Sequence, residues 1–139
     1  MAKEEQIERI VIDSAGGIMG RIASYAAKQA LLGRKVEIVN CEDSIISGKK
    51  NAVLATYHSK LSRGGTAQKG PFISRTAEGI FKRAVRGMLP WSRSRGREAF
   101  KRVRCHAKIP GELESAEKLN FKVEFNKPYI TVRELLRLI

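Results

Sequence analysis

No stretch of this chain approaches the roughly 20 consecutive apolar residues that a membrane-crossing helix requires, so a helical span is excluded. Cysteine is almost absent, with Cys41 and Cys105 the only two. Neither forms a C-x-x-C pair, and His58 and His106 lack H-x-x-x-H spacing, so there is no recognisable metal-ligand pattern and no disulfide framework. The opening residues, MAKEEQIERIV, place three acids ahead of the first apolar run, unlike a secretory signal or a transit peptide. Two distant thiols behind such a start predict reduced cysteines in a soluble cytoplasmic protein. Acidic side chains are also scarce, with 14 Asp and Glu against 27 Lys and Arg.

What is present is ordinary in one respect and unusual in another. A hydrophobic fraction of 42% over 139 residues is enough for one domain with its own core, and we expect residues 1–139 to form it. A formal net charge of +13 is far from ordinary and points to a polyanionic partner. The excess sits in one block. Residues 61–105 carry twelve Lys and Arg against two acids, while the flanking segments are nearly neutral. The block is interleaved with Phe72, Ile80, Phe81, Val85, Met88, Leu89, Phe100 and Val103, so it is expected to fold rather than remain a solvated tail.

Periodicity locates the elements. Ile10 to Ile12 reads as a strand ending in a glycine turn. Met19, Ile22, Ala23, Ala26 and Ala30 follow at helical spacing, with Gly33 as the stop, and Val36 to Asn40 reads as a second strand. Together they predict a βαβ unit with a parallel pair, the helix lying close to the sheet through its alanines. Ser44 to Ile46 suits a short third strand. Val53, Leu54, Tyr57 and Leu61 mark a second helix, and Arg63 to Phe72 a glycine-rich basic loop. Thr76 is placed to cap a third helix that Pro90 ends. Ser92 or Ser94 would open a further short helix through Arg102, followed by a strand at Val103 to Cys105. Residues 111–120 read as a surface loop and FKVEF as an edge strand or extended segment. Thr131 and Glu134 form a capping-box pattern ahead of the leucine-rich end.

Two motifs invite an enzymatic reading. In AGGIMG, Ala15, Gly17 and Gly20 fall on the three glycine positions of a dinucleotide fingerprint, and Glu42 or Asp43 is spaced to bind a ribose. The first glycine is missing, however, and no second half follows, so a tight strand-to-helix turn is the simpler reading. Gly48-Lys49-Lys50 lacks the remainder of a phosphate loop. Nothing marks a Cys-His nucleophilic pair, and no cofactor, metal or small-molecule substrate is expected.

The basic block carries the stronger chemistry. Nine of its twelve cations are arginine, whose planar fork donates two hydrogen bonds to one phosphate and never loses its charge. Gly64, Gly65, Gly70 and Gly96 would let the chain follow an irregular phosphate surface, which suits folded RNA. Trp91 has two readings, stacking on an unpaired base or neighbouring guanidinium, or plugging the helix end against Met88 and Phe100. The block predicts an RNA-binding set of Arg63, Lys69, Arg75, Lys82, Arg83, Arg86, Trp91, Arg93, Arg95, Arg97, Lys101, Arg102 and Arg104.

Three segments, IDSAGGIMGRIAS, VNCEDSIISGKK and KGPFISRTAEGIFKRAVRGMLPWSRSRGREAFKRVRC, resemble the universal large-subunit ribosomal protein thirteen family. The run Arg86-Gly87-Met88-Leu89-Pro90 followed by Gly96 is the most specific part, and Gly70-Pro71-Phe72 resembles the archaeal and eukaryotic branch. The likeness covers residues 8–109 and weakens beyond 110. Ser14 stands where the family more often has alanine, and Ser92-Arg93-Ser94 replaces a run that commonly contains lysine. The resemblance implies a three-layer α/β/α fold around a small, mostly parallel sheet, with a basic loop-helix arm at about 61–105. It implies a non-catalytic constituent of the cytoplasmic large ribosomal subunit that binds ribosomal RNA, enters assembly early and touches neighbouring ribosomal proteins. Carried over to this chain, its RNA-facing residues include Arg86, Arg93, Arg95 and Arg97, with Lys49 and Lys50. A nucleotide-using enzyme and a regulatory DNA- or messenger-binding protein are the rival readings, although no helix-turn-helix, zinc-finger or RNP signature is present.

Overall fold

The computed structural model describes residues 8–63 and 73–139. The expected basic loop lies almost wholly outside these residues, and with it Lys69, Gly64, Gly65 and Gly70-Pro71-Phe72. The chain opens with β1 (Arg9–Asp13), α1 (Met19–Leu31) and β2 (Lys35–Val39), and β1 pairs with β2 in parallel from Arg9↔Lys35 to Asp13↔Val39. Gly33 follows α1 at φ +94°, a left-handed conformation that halts the helix and that glycine adopts without steric cost. The remaining elements are β3 (Ile45–Ser47), α2 (Lys50–Ser62), α3 (Ala77–Gly87), α4 (Ser94–Lys101), β4 (Val103–Cys105), β5 (Leu119–Asn120), β6 (Tyr129–Thr131) and α5 (Val132–Leu138).

The principal sheet has the order β4-β2-β1-β5 and all of its pairings are parallel. β3 does not join it and instead pairs antiparallel with β6. Alternation along the strands sends Ile12, Val36, Ile38 and Val103 into one core with Ile22, Ala23, Ala26 and Ala30 of α1 and Ile80, Phe81 and Val85 of α3. The alanine stripe is why α1 lies so close to the strands: the short methyl groups of Ala23, Ala26, Ala27 and Ala30 let it approach where longer side chains would stand it away. Val11 and Val39 face the other way, against Leu113, Ile109 and Ala116. The covering layer on that face is therefore a 3-10 turn at Gly111–Leu113 with its flanks.

Several local expectations change. Residues 111–120 are not simply a surface loop, because Leu113 is buried and Leu119–Asn120 pairs with β1. FKVEF is the extended segment after that pairing; Phe121 packs on Tyr25 with ring centroids 5.2 Å apart. α4 does open at Ser94, one of the two expected starts, behind an Arg93 N-cap that makes no side-chain hydrogen bond. Thr76 caps α3 as expected, its Oγ1 accepting from the Gly79 N–H at 3.2 Å. Thr131 accepts from the Glu134 N–H at 3.2 Å, but the Glu134 carboxylate reaches Lys50 Nζ at 2.9 Å, so the capping box keeps only its threonine half among the described contacts.

Cys41 and Cys105, 64 positions apart, meet through the β2–β4 pairing, where the Cys41 N–H donates to the His106 carbonyl at 3.1 Å. Contact with the Cys105 thiol, then burial, pushes the Cys41 thiol far above the ordinary range. A folded-state pKa above the unfolded value means that this stability is complete below the unfolded pKa of about 8.5 and declines as pH rises above it. Burial also raises Tyr57, which acts in the same sense at higher pH. Urea unfolding at pH 7.5 and 9.5 should give a drop in stability of up to about 1 kcal/mol that Cys41→Ala does not share; equal drops in the two proteins would refute this origin.

Candidate nucleic-acid interface

The basic block folds as a helix, a tight turn and a second helix. α3 stops at Gly87, three residues before Pro90, and Met88-Leu89-Pro90 turns the chain with Leu89 buried beneath it. The Trp91 N–H donates to the Leu89 carbonyl at 2.8 Å and the Arg93 N–H to the Pro90 carbonyl at 3.0 Å. α4 then packs back over the turn at Gly96. A Cβ on Gly96 would stand 2.1 Å from the Pro90 carbonyl oxygen and 2.4 Å from its carbon. Gly96 is thus buried in a helix-to-turn contact and does not face a phosphate surface, a correction to its expected use. The Pro90-to-Gly96 spacing in the sequence is the spacing of this contact.

Side chains from both helices surround Trp91. The Arg86 guanidinium carbon lies 4.4 Å from the centre of the indole, and the Phe100 ring meets it at 88° with centroids 5.1 Å apart. Lys82 Nζ sits 4.8 Å from the centre of the Phe100 ring. Trp91 combines parts of its two readings, stacking with a guanidinium and packing on Phe100. Met88 is exposed and is absent from the buried core, so it is not the expected inner contact. Trp91 nevertheless stays 37% exposed, so it is only partly covered by its own chain.

Arg83, Arg86, Arg93, Arg95, Arg97 and Lys101 are exposed along this pair of helices, and Arg63 and Arg75 are exposed on either side of residues 64–72. Among the described residues none of these eight is ion-paired; the acids instead engage Arg9, Arg34, Lys50, His106 and Arg133. Lys49 is the exposed N-cap of α2, and the Lys50 partner is on α5. Arg102 is half-buried and its Nη1 donates to the Ala30 carbonyl at 3.0 Å, closing the end of α1.

Arg104 takes another direction. On β4 it stands opposite Glu37 in register, on the sheet face away from the main core, and it lines a groove of about 490 Å³ with Arg9, Lys35, Lys101, Arg102 and the acids Glu37 and Glu112. Arg9 and Lys35 were absent from the expected set. Both lie in a nearly neutral segment, and only the strand order β4-β2-β1 places them beside the block.

Three amides of the nucleotide fingerprint already have acceptors within the chain. The Ala15, Gly16 and Gly17 N–H groups donate to Asp13 Oδ1 at 3.1 Å, the Asp43 carbonyl at 3.0 Å and the Ser14 carbonyl at 3.0 Å. A Cβ at Gly17 would lie 2.7 Å from Ile22 Cδ1 and 3.1 Å from the Phe121 backbone oxygen, so this glycine serves close packing. Glu42 and Asp43, the candidate ribose acids, hold Arg133 at 3.3 and 3.0 Å. Among the described residues no group of three His, Cys, Asp or Glu side chains could hold a metal ion, and no helix is long and apolar enough to cross a membrane.

Known proteins align with this chain over most of its length. A family profile described as ribosomal protein L13 matches residues 7–112. A protein named large ribosomal subunit protein uL13 from Archaeoglobus fulgidus is 43% identical over 133 residues, covering 91% of this chain and 85% of the relative. The protein of that name from Methanopyrus kandleri is 46% identical over 109 residues, 78% of this chain and 68% of its own length. That from Methanocaldococcus jannaschii is 40% identical over 128 residues, 90% and 93% of the two chains.

Proposed function

Since the chain belongs to the ribosomal protein L13 family, we propose that it is a structural constituent of the large ribosomal subunit that binds and organises large-subunit ribosomal RNA. The observation that carries this reading is the run of exposed arginines on α3 and α4, unpaired among the described residues. The placement of two of them opposes helix stability. Arg93 and Arg95 sit at the N-terminal end of α4, where the helix dipole disfavours cations, and the first turn has no acid to offset them. Side chains held against their local electrostatic preference point to an external anion.

Phosphate contacts from Arg83, Arg86, Arg93, Arg95 and Arg97 would set position, and the shape of the folded RNA would set specificity, with little base readout over most of the surface. Residues Arg63, Lys69, Arg75, Lys82, Lys101 and Arg104, with Lys49 and Lys50, would extend the contact. Arg102 would contribute chiefly by holding β4 to α1. Incorporation early in assembly, contacts with neighbouring ribosomal proteins and residence in cytoplasmic subunits complete the reading.

Crosslinking in cells followed by sequencing of the attached RNA tests it. Reads concentrated at one region of large-subunit ribosomal RNA are the expected result; reads scattered over messengers would favour a regulatory protein instead. In vitro, five neutralised phosphates would give a log-log salt slope between about −3.5 and −4.5. A flat salt dependence would remove the electrostatic basis of the proposal.

A further inference from the structure

The chemistry of the Trp91 corner goes beyond phosphate binding. Trp91 borders two hollows. In one, of about 360 Å³, it meets Arg83 and Arg86. The other, of about 560 Å³, has the Trp91 and Phe100 rings as its apolar wall, with Lys82, Arg97 and Lys101 at its rim. Rings meeting at 88° make an L-shaped aromatic surface, and the 37% exposure of Trp91 leaves part of that surface open. The hollow is ready-made, because Gly96 locks α4 onto Pro90 and Arg86 lies over the indole, so little ordering is needed on binding.

One side chain does not fit a phosphate site. Ser94, Arg97, Glu98 and Lys101 recur at helical spacing along one face of α4 and all line this hollow. Glu98 is one of only two acids in the whole basic block. It is exposed, and among the described residues it has no ion pair and no side-chain hydrogen bond. A carboxylate here repels phosphate, yet it accepts hydrogen bonds from base N–H groups. Guanine alone among the four RNA bases carries an N1–H and an adjacent amino group that point the same way, matching both carboxylate oxygens. In a duplex that edge is occupied by pairing and the base faces are stacked, so only an unpaired guanine offers both features.

We propose that the Trp91–Phe100 corner receives one unpaired guanine of the bound RNA, stacked on the aromatic wall and read by Glu98, while Lys82, Arg97 and Lys101 engage the flanking phosphates. The proposal rests on the RNA-binding reading above and deepens it. It makes this corner the point at which a largely shape-directed surface reads a base.

Trp91 is the only tryptophan, so its emission reports directly on the site. The purified full chain is titrated with the ribonucleotides UUGUU and UUUUU, following anisotropy of end-labelled RNA for binding and tryptophan emission with unlabelled RNA for stacking. UUGUU is expected to quench Trp91 and to bind about tenfold more tightly than UUUUU. Glu98→Gln, an exposed change that spares the fold, should reduce that preference to about twofold, since an amide presents one acceptor in place of two, and should bind UUUUU at least as well because a repelling charge is gone. Equal affinity for the two RNAs overturns guanine recognition. Emission unmoved by saturating RNA means that something else covers the corner, such as a protein segment of the assembled subunit, and overturns the pocket while leaving the arginine surface standing. Failure of either RNA to bind at low salt counts against RNA binding itself.

Discussion

Replacing Arg93, Arg95 and Arg97 together with glutamate should leave a folded protein whose affinity for large-subunit ribosomal RNA falls on the order of a thousandfold at low salt, because three attractive contacts become repulsive and the net charge drops by six. All three side chains are exposed and none is ion-paired among the described residues, so the fold loses no contact to an acid. Acids at the N-terminal end of α4 also suit the helix dipole by a few tenths of a kcal/mol each, so the melting temperature should hold or rise. The log-log salt slope should shrink by about 2 to 3 as three phosphate contacts vanish. Incorporation into large subunits, followed by sedimentation, should be impaired in step. Loss of soluble folded protein would show instead that the helices depend on these arginines, and unchanged affinity would move the interface elsewhere.

A single methyl group at Gly96 should do the opposite, damaging the fold first. Alanine ordinarily stabilises a helix by about 1 kcal/mol relative to glycine. Here its Cβ would lie 2.1 Å from the Pro90 carbonyl oxygen and 2.4 Å from its carbon, both backbone atoms that cannot swing aside. Separating α4 from the turn disturbs Trp91, Phe100 and the buried Ala99 together, and a cost of about 3 kcal/mol is expected, at the upper end for an overpacked site. For a chain of this size that corresponds to a fall in melting temperature of roughly 10 °C. Gly20→Ala in α1 is the matched control, since a Cβ there meets nothing within 4 Å, and it should be neutral or slightly stabilising. A Gly96→Ala protein melting with the parent would mean that α4 is not seated on Pro90.

These two substitutions separate the roles that one basic segment combines. The arginines are positioned by the fold and contribute little to it, whereas the glycine beside them positions the whole arm. In the sequence both stand in the same short run, SRSRGR, which by itself presents both as surface features. Glycine permits close approach equally to an RNA backbone and to its own chain. The neighbour becomes known only when Pro90 is seen above it.

Local pattern was enough for β1, α1 and β2, because the short apolar run from Ile10 to Ile12, the alanine stripe from Ala23 to Ala30 and the Gly33 stop each act within a few residues. Thr76 at the start of α3 and the run of arginines through α4 were readable for the same reason, as was the likeness to the L13 family that these residues carry. Pairings between distant segments were not. Whether Leu119–Asn120 or FKVEF would reach β1, whether Lys50 would face RNA or Glu134, and whether Arg9 and Lys35 would stand beside Arg104 all depend on strand order. The sequence by itself determined the charge and the helical and extended segments, since these follow from side-chain chemistry and short-range spacing. Only the tertiary structure decided which cations remain unpaired, where Trp91 is open and why position 96 must be glycine. Those properties belong to contacts between residues far apart in the chain, and no single segment encodes its neighbour.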